Sequence, residues 1–210
     1  MRAVTAAASA LVTLLAASSA MADSQAHRLK GDFGFSGTGI CASSQAIFTP
    51  TSYTPPRGFD ANLTVIGPAL VITFSVQGVR TFNGDGTGSS VQRVVSLALG
   101  DQASASSSDQ QVQFAYSVTA DGTVTIDQAP THGVFVSGAR TGQQTSVSNI
   151  PTLVGRLSSD RNSITFATFN TGIETVTRLL PDGSELVEAL RICHRERTAV
   201  RIGRGGQGDD

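Results

Sequence analysis

The chain has 210 residues, with 15 Lys and Arg against 16 Asp and Glu, and a formal net charge of −1. That length suits one domain with a sizeable core. The near-neutral balance lacks the basic excess and clustered aromatics of a nucleic-acid surface, so no nucleic-acid partner is expected.

Residues 1–22 read as a signal peptide. Arg2 supplies the positive start, residues 6–17 form an apolar run around Leu11, Val12, Leu14 and Leu15, and Ala20-Met21-Ala22 is a small-x-small cleavage site. A membrane-spanning helix needs about 20 apolar residues, more than this run offers. No later stretch is a candidate, so no transmembrane segment is expected. The expected destination is the periplasm or the extracellular medium, after cleavage near Ala22. Residues 23–30 form a polar leader, expected to be mobile.

Export gives meaning to the two cysteines, Cys41 and Cys193, because a disulfide persists in an oxidising compartment. A zinc site is disfavoured by their separation and by the lack of nearby ligand histidines. The expectation is a disulfide that ties the start of the domain to its end.

The mature chain then reads as one strand after another. Residues 31–39 place Phe33 and Phe35 on one face. Residues 40–62 hold Pro50, Pro55 and Pro56 and show no periodicity, which predicts a long loop, and the apolar Ile47, Phe48, Tyr53 and Phe59 predict that it folds over part of the domain as a lid. Leu70, Ile72, Phe74 and Val76 alternate with polar or small residues, and Asn83-Gly84-Asp85-Gly86 is a strong hairpin signal. A return strand runs over 87–99, followed by a Ser-rich loop over 100–108. Val112, Phe114, Tyr116 and Val118 form the cleanest half-buried strand. Asp121-Gly122 turns this into a strand over 123–127, and hairpins follow over 134–150 and 153–169. Residues 172–180 turn at Pro181-Asp182-Gly183 into a last strand over 185–202, and 203–210 read as a disordered tail.

Nine to eleven strands joined by short turns, with no helix signal beyond a weak one at 184–190, predict an all-β, antiparallel up-and-down meander over 31–202. Closure into a barrel of about 8–11 strands removes the exposed edges of so twisted a sheet. A β-sandwich is the alternative, disfavoured by the absence of Trp.

Chemical motifs are sparse. The stretch 83–88 begins like a calcium loop, but Val94 stands where the closing glutamate belongs, so a glycine-rich turn is the better reading. No metal ligand set, cofactor motif or nucleophile elbow is present, and no cofactor is expected. His27 and His132 have no evident partner. His194 adjoins Cys193 in a strand, so the two side chains point to opposite faces and cannot form a Cys–His pair. Asn62-Leu63-Thr64 is a formal glycosylation sequon, relevant only in a eukaryotic secretory pathway. The last strand is the most unusual element. Arg191, Arg195, Arg197 and Arg201 share a face with Cys193. The simplest reading is a solvated outer stripe, paired in part with Glu174 of the preceding strand. The alternative is an anion-binding strip at a barrel mouth.

The meander, the long loop after the first strand and the arginine-bearing last strand together resemble a lipocalin-type (calycin) barrel. That resemblance implies that Gly31-Asp32-Phe33 packs near Arg191 or Arg195 and that the first loop covers the mouth. The chain departs from the pattern in having Phe33 for the usual Trp and no C-terminal helix. Residues 78–88 with Arg191-Ile192-Cys193-His194-Arg195 are also similar to a group of small exported bacterial proteins of unassigned activity. The resemblance implies export more than function.

The leading expectation is a non-enzymatic barrel that binds a small apolar or amphipathic ligand, so the expected partner is a small hydrophobic or anionic molecule. Phe33, Phe35, Phe74, Phe114, Tyr116, Arg191 and Arg195 are the candidate contacts, and no catalytic residue is assigned. One alternative is a structural or surface-interaction protein with a filled interior. Another is an isomerase or cyclase with Glu174, Tyr116 or His194 aimed into a pocket. Oligomeric state is left open.

Overall fold

A computed structural model describes residues 25–45, 58–99 and 103–203. The expected signal peptide, residues 46–57 of the expected loop and residues 204–210 of the expected tail lie outside the described residues.

A 3-10 turn (Ala26–Arg28) is followed by β1 (Lys30–Gln45), β2 (Gly58–Phe59), β3 (Val65–Ile66), β4 (Ala69–Asn83), β5 (Thr87–Leu99) and β6 (Ser104–Val118). Then come β7 (Thr123–Gln128), β8 (Thr131–Ser137), β9 (Gln144–Ser148), β10 (Leu153–Leu157), β11 (Ser163–Thr168), β12 (Glu174–Leu179) and β13 (Glu185–Arg201). Eleven of these strands form one antiparallel sheet, and β2 and β3 form a separate hairpin. The alternating sequence produces these strands, and glycine at positive φ makes the turns: Gly84 and Gly86 between β4 and β5, and Gly122 between β6 and β7.

The sheet closes on itself because β1 pairs with β13 from Phe33↔Arg201 to Gln45↔Ala189. The all-β, antiparallel expectation holds, with a refinement that local pattern does not reveal. The long strands β6 and β13 each divide their outer edge between two partners. β6 pairs with β8 through its first half and with β7 through its second half. β13 pairs with β12 and then with β11. The interior is therefore enclosed by two stacked eight-stranded rings: β1-β4-β5-β6-β7-β10-β11-β13 at one end, and β1-β4-β5-β6-β8-β9-β12-β13 at the other.

The disulfide expectation is met. Cys41 and Cys193 are bonded, are buried, and stand opposite each other on β1 and β13, where the sheet closes. In the chain-entropy picture, a cross-link over 152 residues stabilises by at most about 5 kcal/mol.

Two boundaries differ from expectation. β1 continues to Gln45 because residues 40–44 have ladder partners on both β4 and β13 and Gln45 still pairs with Ala189 of β13, so only 46–57 of the expected lid is outside the described residues. Residues 104–108 are strand rather than loop, since they pair with β5 from Ala98↔Ser104 to Val94↔Ser108. Serine is a poor strand signal in isolation, and the neighbouring strand decides. In the leader, Ala26 and Leu29 are buried against the first ring's end, and the Gln25 N–H donates to the Val118 carbonyl. No described helix is long and apolar enough to cross a membrane.

Candidate functional site

The two rings have different interiors. The ring completed by β7, β10 and β11 is filled. Phe82 lies at its centre, with Phe33, Phe114 and Tyr116 edge-on around it at 4.9–5.4 Å between centroids. Val124, Ile126, Leu153, Ile164 and Phe166 complete the packing. The Tyr116 hydroxyl donates to the Leu29 carbonyl at 2.6 Å and accepts from the Gly84 N–H at 2.9 Å, fixing the plug at this end.

The ring completed by β8, β9 and β12 is hollow, with a cavity of about 470 Å³. The inward rows of β5 and β6 explain the difference. Here they carry Ser96, Ala98, Ser104, Ser106 and Ser108, whereas the same strand β6 carries Phe114 and Tyr116 in the filled ring. Leu70, Ile72 and Phe74 from β4 face Val147 and Val176 across this space. Two inward glycines on β1 make room for the floor. A Cβ on Gly39 would lie 2.3 Å from the Phe74 ring, and one on Gly37 would lie 2.6 Å from Arg197 Cγ.

The arginine face of β13 points inward. This overturns the reading of a solvated stripe. Arg195 is 3% exposed and Arg197 is 6% exposed. Glu174 on β12, with 0% exposure, receives both Arg191 and Arg195. Arg191 Nε donates to Glu174 Oε2 at 2.8 Å, and Arg195 reaches both carboxylate oxygens, Nη2 to Oε2 at 2.6 Å. Burial alone would raise the Glu174 pKa, but the two guanidiniums outweigh it and hold it below the ordinary carboxylate range. Burial lowers the Arg191 pKa against the opposing pull of Glu174.

Arg80 and Arg197 lie between the two interiors, and among the described residues neither forms an ion pair with a carboxylate, although Glu174 is near enough to Arg197 to offset part of its charge. Arg80 is 1% exposed, with its guanidinium carbon 5.1 Å from the ring centroids of both Phe35 and Phe114 and 5.6 Å from that of Phe166. Arg197 lies 5.7 Å from the Phe35 centroid and lines the cavity. Among the described residues, Nε and Nη2 of Arg80 and Nε and Nη1 of Arg197 have no hydrogen-bond partner. Burial pushes the Arg80 pKa down to about 10. That of Arg197 is pushed well down, by burial first and then by the charges of Arg80 and Arg195. Guanidinium nevertheless remains protonated in proteins, so both are buried cations.

A second Arg–Glu–Arg group lies on the wall. The register of β12 against β13 slips at Val176/Thr177, where Ala189 and Val187 are the successive partners and Glu188 is the extra residue. A bulge of this kind re-aims side chains. It brings Glu188 to the cavity, beside Arg140 and within 3.1 Å of Arg178 Nε. Strict alternation from the end of the strand assigns Glu188 to the other face, and so the sequence does not reveal it.

The structure divides the seven candidate contacts. Phe74, Arg191 and Arg195 line the cavity. Phe33, Phe35, Phe114 and Tyr116 belong to the packed core. The arginine over Phe33 is Arg201, at 4.7 Å, rather than Arg191 or Arg195, because the antiparallel register places Arg201 opposite it. His194 is on the outer face, beside Glu196. Arg80, Glu188 and the inward serines were not among the sequence candidates, and Arg197 entered only as one of the four arginines on the last strand's shared face. The signal for Arg197 was present: Gly37 and Gly39 share the face of Phe33 and Phe35, and inward glycine makes room for large neighbours.

Comparison with protein-family models and with curated proteins finds no match. Among solved structures, one match is the enduracididine biosynthesis enzyme MppR, complexed with the condensation product of pyruvate and imidazole 4-carboxaldehyde. It shares 10% identity over 84% of this chain and 89% of that chain, with a TM-score of 0.20. A superposition that poor carries no argument about fold or function.

Proposed function

We propose that this protein is an exported, non-enzymatic binding protein for a small amphipathic ligand held in the hollow ring. The observation behind this reading is the cavity of about 470 Å³ with apolar walls and a charged floor. Ligand sites typically occupy about 300–1,000 Å³ and combine apolar lining with a few placed polar groups. The signal-peptide pattern supports export, and the buried disulfide is compatible with an oxidising compartment. The likeness to lipocalin-type barrels is consistent with the same role. A wholly filled barrel describes one ring only.

The isomerase or cyclase reading finds little support in the groups it needs. Two arginines keep Glu174 ionised and occupied, Tyr116 donates to backbone, and His194 faces outward. A general base needs a free acceptor within reach of the substrate.

Titration of the purified mature protein with a fluorescent fatty-acid probe tests the proposal. The expected result is saturable binding at one site per chain. A linear, unsaturable response would contradict it.

A further inference from the structure

The wall and floor of the cavity carry Arg140, Arg178, Arg191, Arg195 and Arg197, with Glu188 on the wall and Glu174 behind it. Each carboxylate is already shared by two arginines. Of the four arginines that the sequence offers as an anion-binding strip, Arg191 and Arg195 are therefore committed to Glu174. Arg197 is in a different position. It is buried, it lines the cavity, and its Nε and Nη1 have no partner among the described residues. Arg80 places a second buried cation on the other side of the floor, also with open donors and also over Phe35.

Buried polar groups are nearly always paired, and a buried charge without a counter-charge is among the most costly features a fold can keep. The aromatic faces compensate part of the charge. They cannot accept the in-plane N–H groups. Those two nitrogens are themselves sealed from solvent, so an oxyanion would offset the charge from the part of Arg197 that borders the cavity, and the route to it runs past Leu70, Ile72 and Phe74 on one wall and Val147 and Val176 on the other.

We propose that the ligand is a carboxylate-headed amphiphile, bound head-down with its carboxylate on Arg197 and its apolar body along the β4 and β9/β12 walls. This rests on the binding function proposed above and names its ligand class. Glu174 has a separate part: it withdraws Arg191 and Arg195 from competition, so that the head is read at one place.

The test compares dodecanoate with dodecanol, which share a chain and differ in charge, on the mature wild-type protein and on Arg197→Met. Wild type is expected to bind dodecanoate more tightly than dodecanol by about 10- to 100-fold, the worth of a charge-assisted hydrogen bond. In Arg197→Met the preference for dodecanoate over dodecanol is expected to vanish. Removing an unpaired buried charge should also leave the ligand-free variant melting at or above the wild-type temperature. A structural role for Arg197 predicts a fall instead, so a lower melting temperature or an unfolded variant would overturn the assignment. Equal binding of the two ligands by wild type would overturn the anion site and leave the amphipathic-ligand reading standing. If neither ligand binds saturably, both fall. Wild-type thermal shifts with each ligand decide between these outcomes without any variant.

Discussion

The two rings share five strands and one interior, yet one is packed and the other is hollow. Along the one continuous strand β6, whose pairing with β8 slips at Ser107/Ser108, the inward row runs from Ser104, Ser106 and Ser108 to Phe114 and Tyr116. The change in side-chain volume along that row separates the packed ring from the hollow one. The filled ring is held by aromatic and aliphatic burial, which is non-directional and cooperative. The hollow ring is held by its hydrogen-bonded wall and by charge, with the Glu174 cluster and the Glu188 cluster where a core would be. Aromatic and aliphatic packing is concentrated in one ring, and open volume with buried charge in the other.

The largest expected effect comes from the charge in the hollow ring. Glu174→Gln leaves Arg191 and Arg195 buried without a counter-charge, and breaking a buried pair in this way costs about 3–5 kcal/mol. Urea unfolding at neutral pH should show the loss. Acid provides a companion readout. Because the folded-state pKa of Glu174 lies below its unfolded value, its stabilisation is complete above the unfolded carboxylate pKa. It is lost as the pH falls through the lower folded value. Wild type should therefore lose stability in that acid window, and Glu174→Gln should show a flatter acid limb. Parallel acid limbs would mean that Glu174 is not the group being titrated.

A smaller contrast uses one substitution in both places. Leu153→Ala in the filled ring removes a fully buried side chain and should cost about 2–5 kcal/mol. Leu70→Ala on the cavity wall removes atoms that already border open space, and should cost under about 1 kcal/mol by the same reasoning. Equal losses in urea midpoints would erase the distinction between the rings.

Much of the fold was legible because its determinants are local. Alternation at 111–118 and the Asn-Gly and Asp-Gly turns specify strands and hairpins without reference to the rest of the chain, and the cysteine pair gave the closure. The interior was less legible. Residues 194–198, His-Arg-Glu-Arg-Thr, are polar on both faces, so no hydrophobic contrast marks which side is inward. The answer comes from residues far away in sequence: Glu174 across the ladder and Phe35 under the guanidinium of Arg197. The Ser-rich stretch 104–108 reads as a loop for the same reason that it makes a cavity, since its side chains are too small to signal burial. The bulge at Glu188 depends on pairing with β12, which strand periodicity does not encode.

The most direct test is to fill the hollow ring. Ser96 and Ser106 are cross-strand partners that both line the cavity. The double variant Ser96→Leu/Ser106→Leu should fold with unchanged or slightly raised stability, by about 0.5–2 kcal/mol as in other cavity-filling changes. The fatty-acid probe should no longer bind. Wild-type probe affinity in this folded variant would contradict the account and place the binding site elsewhere on the molecule.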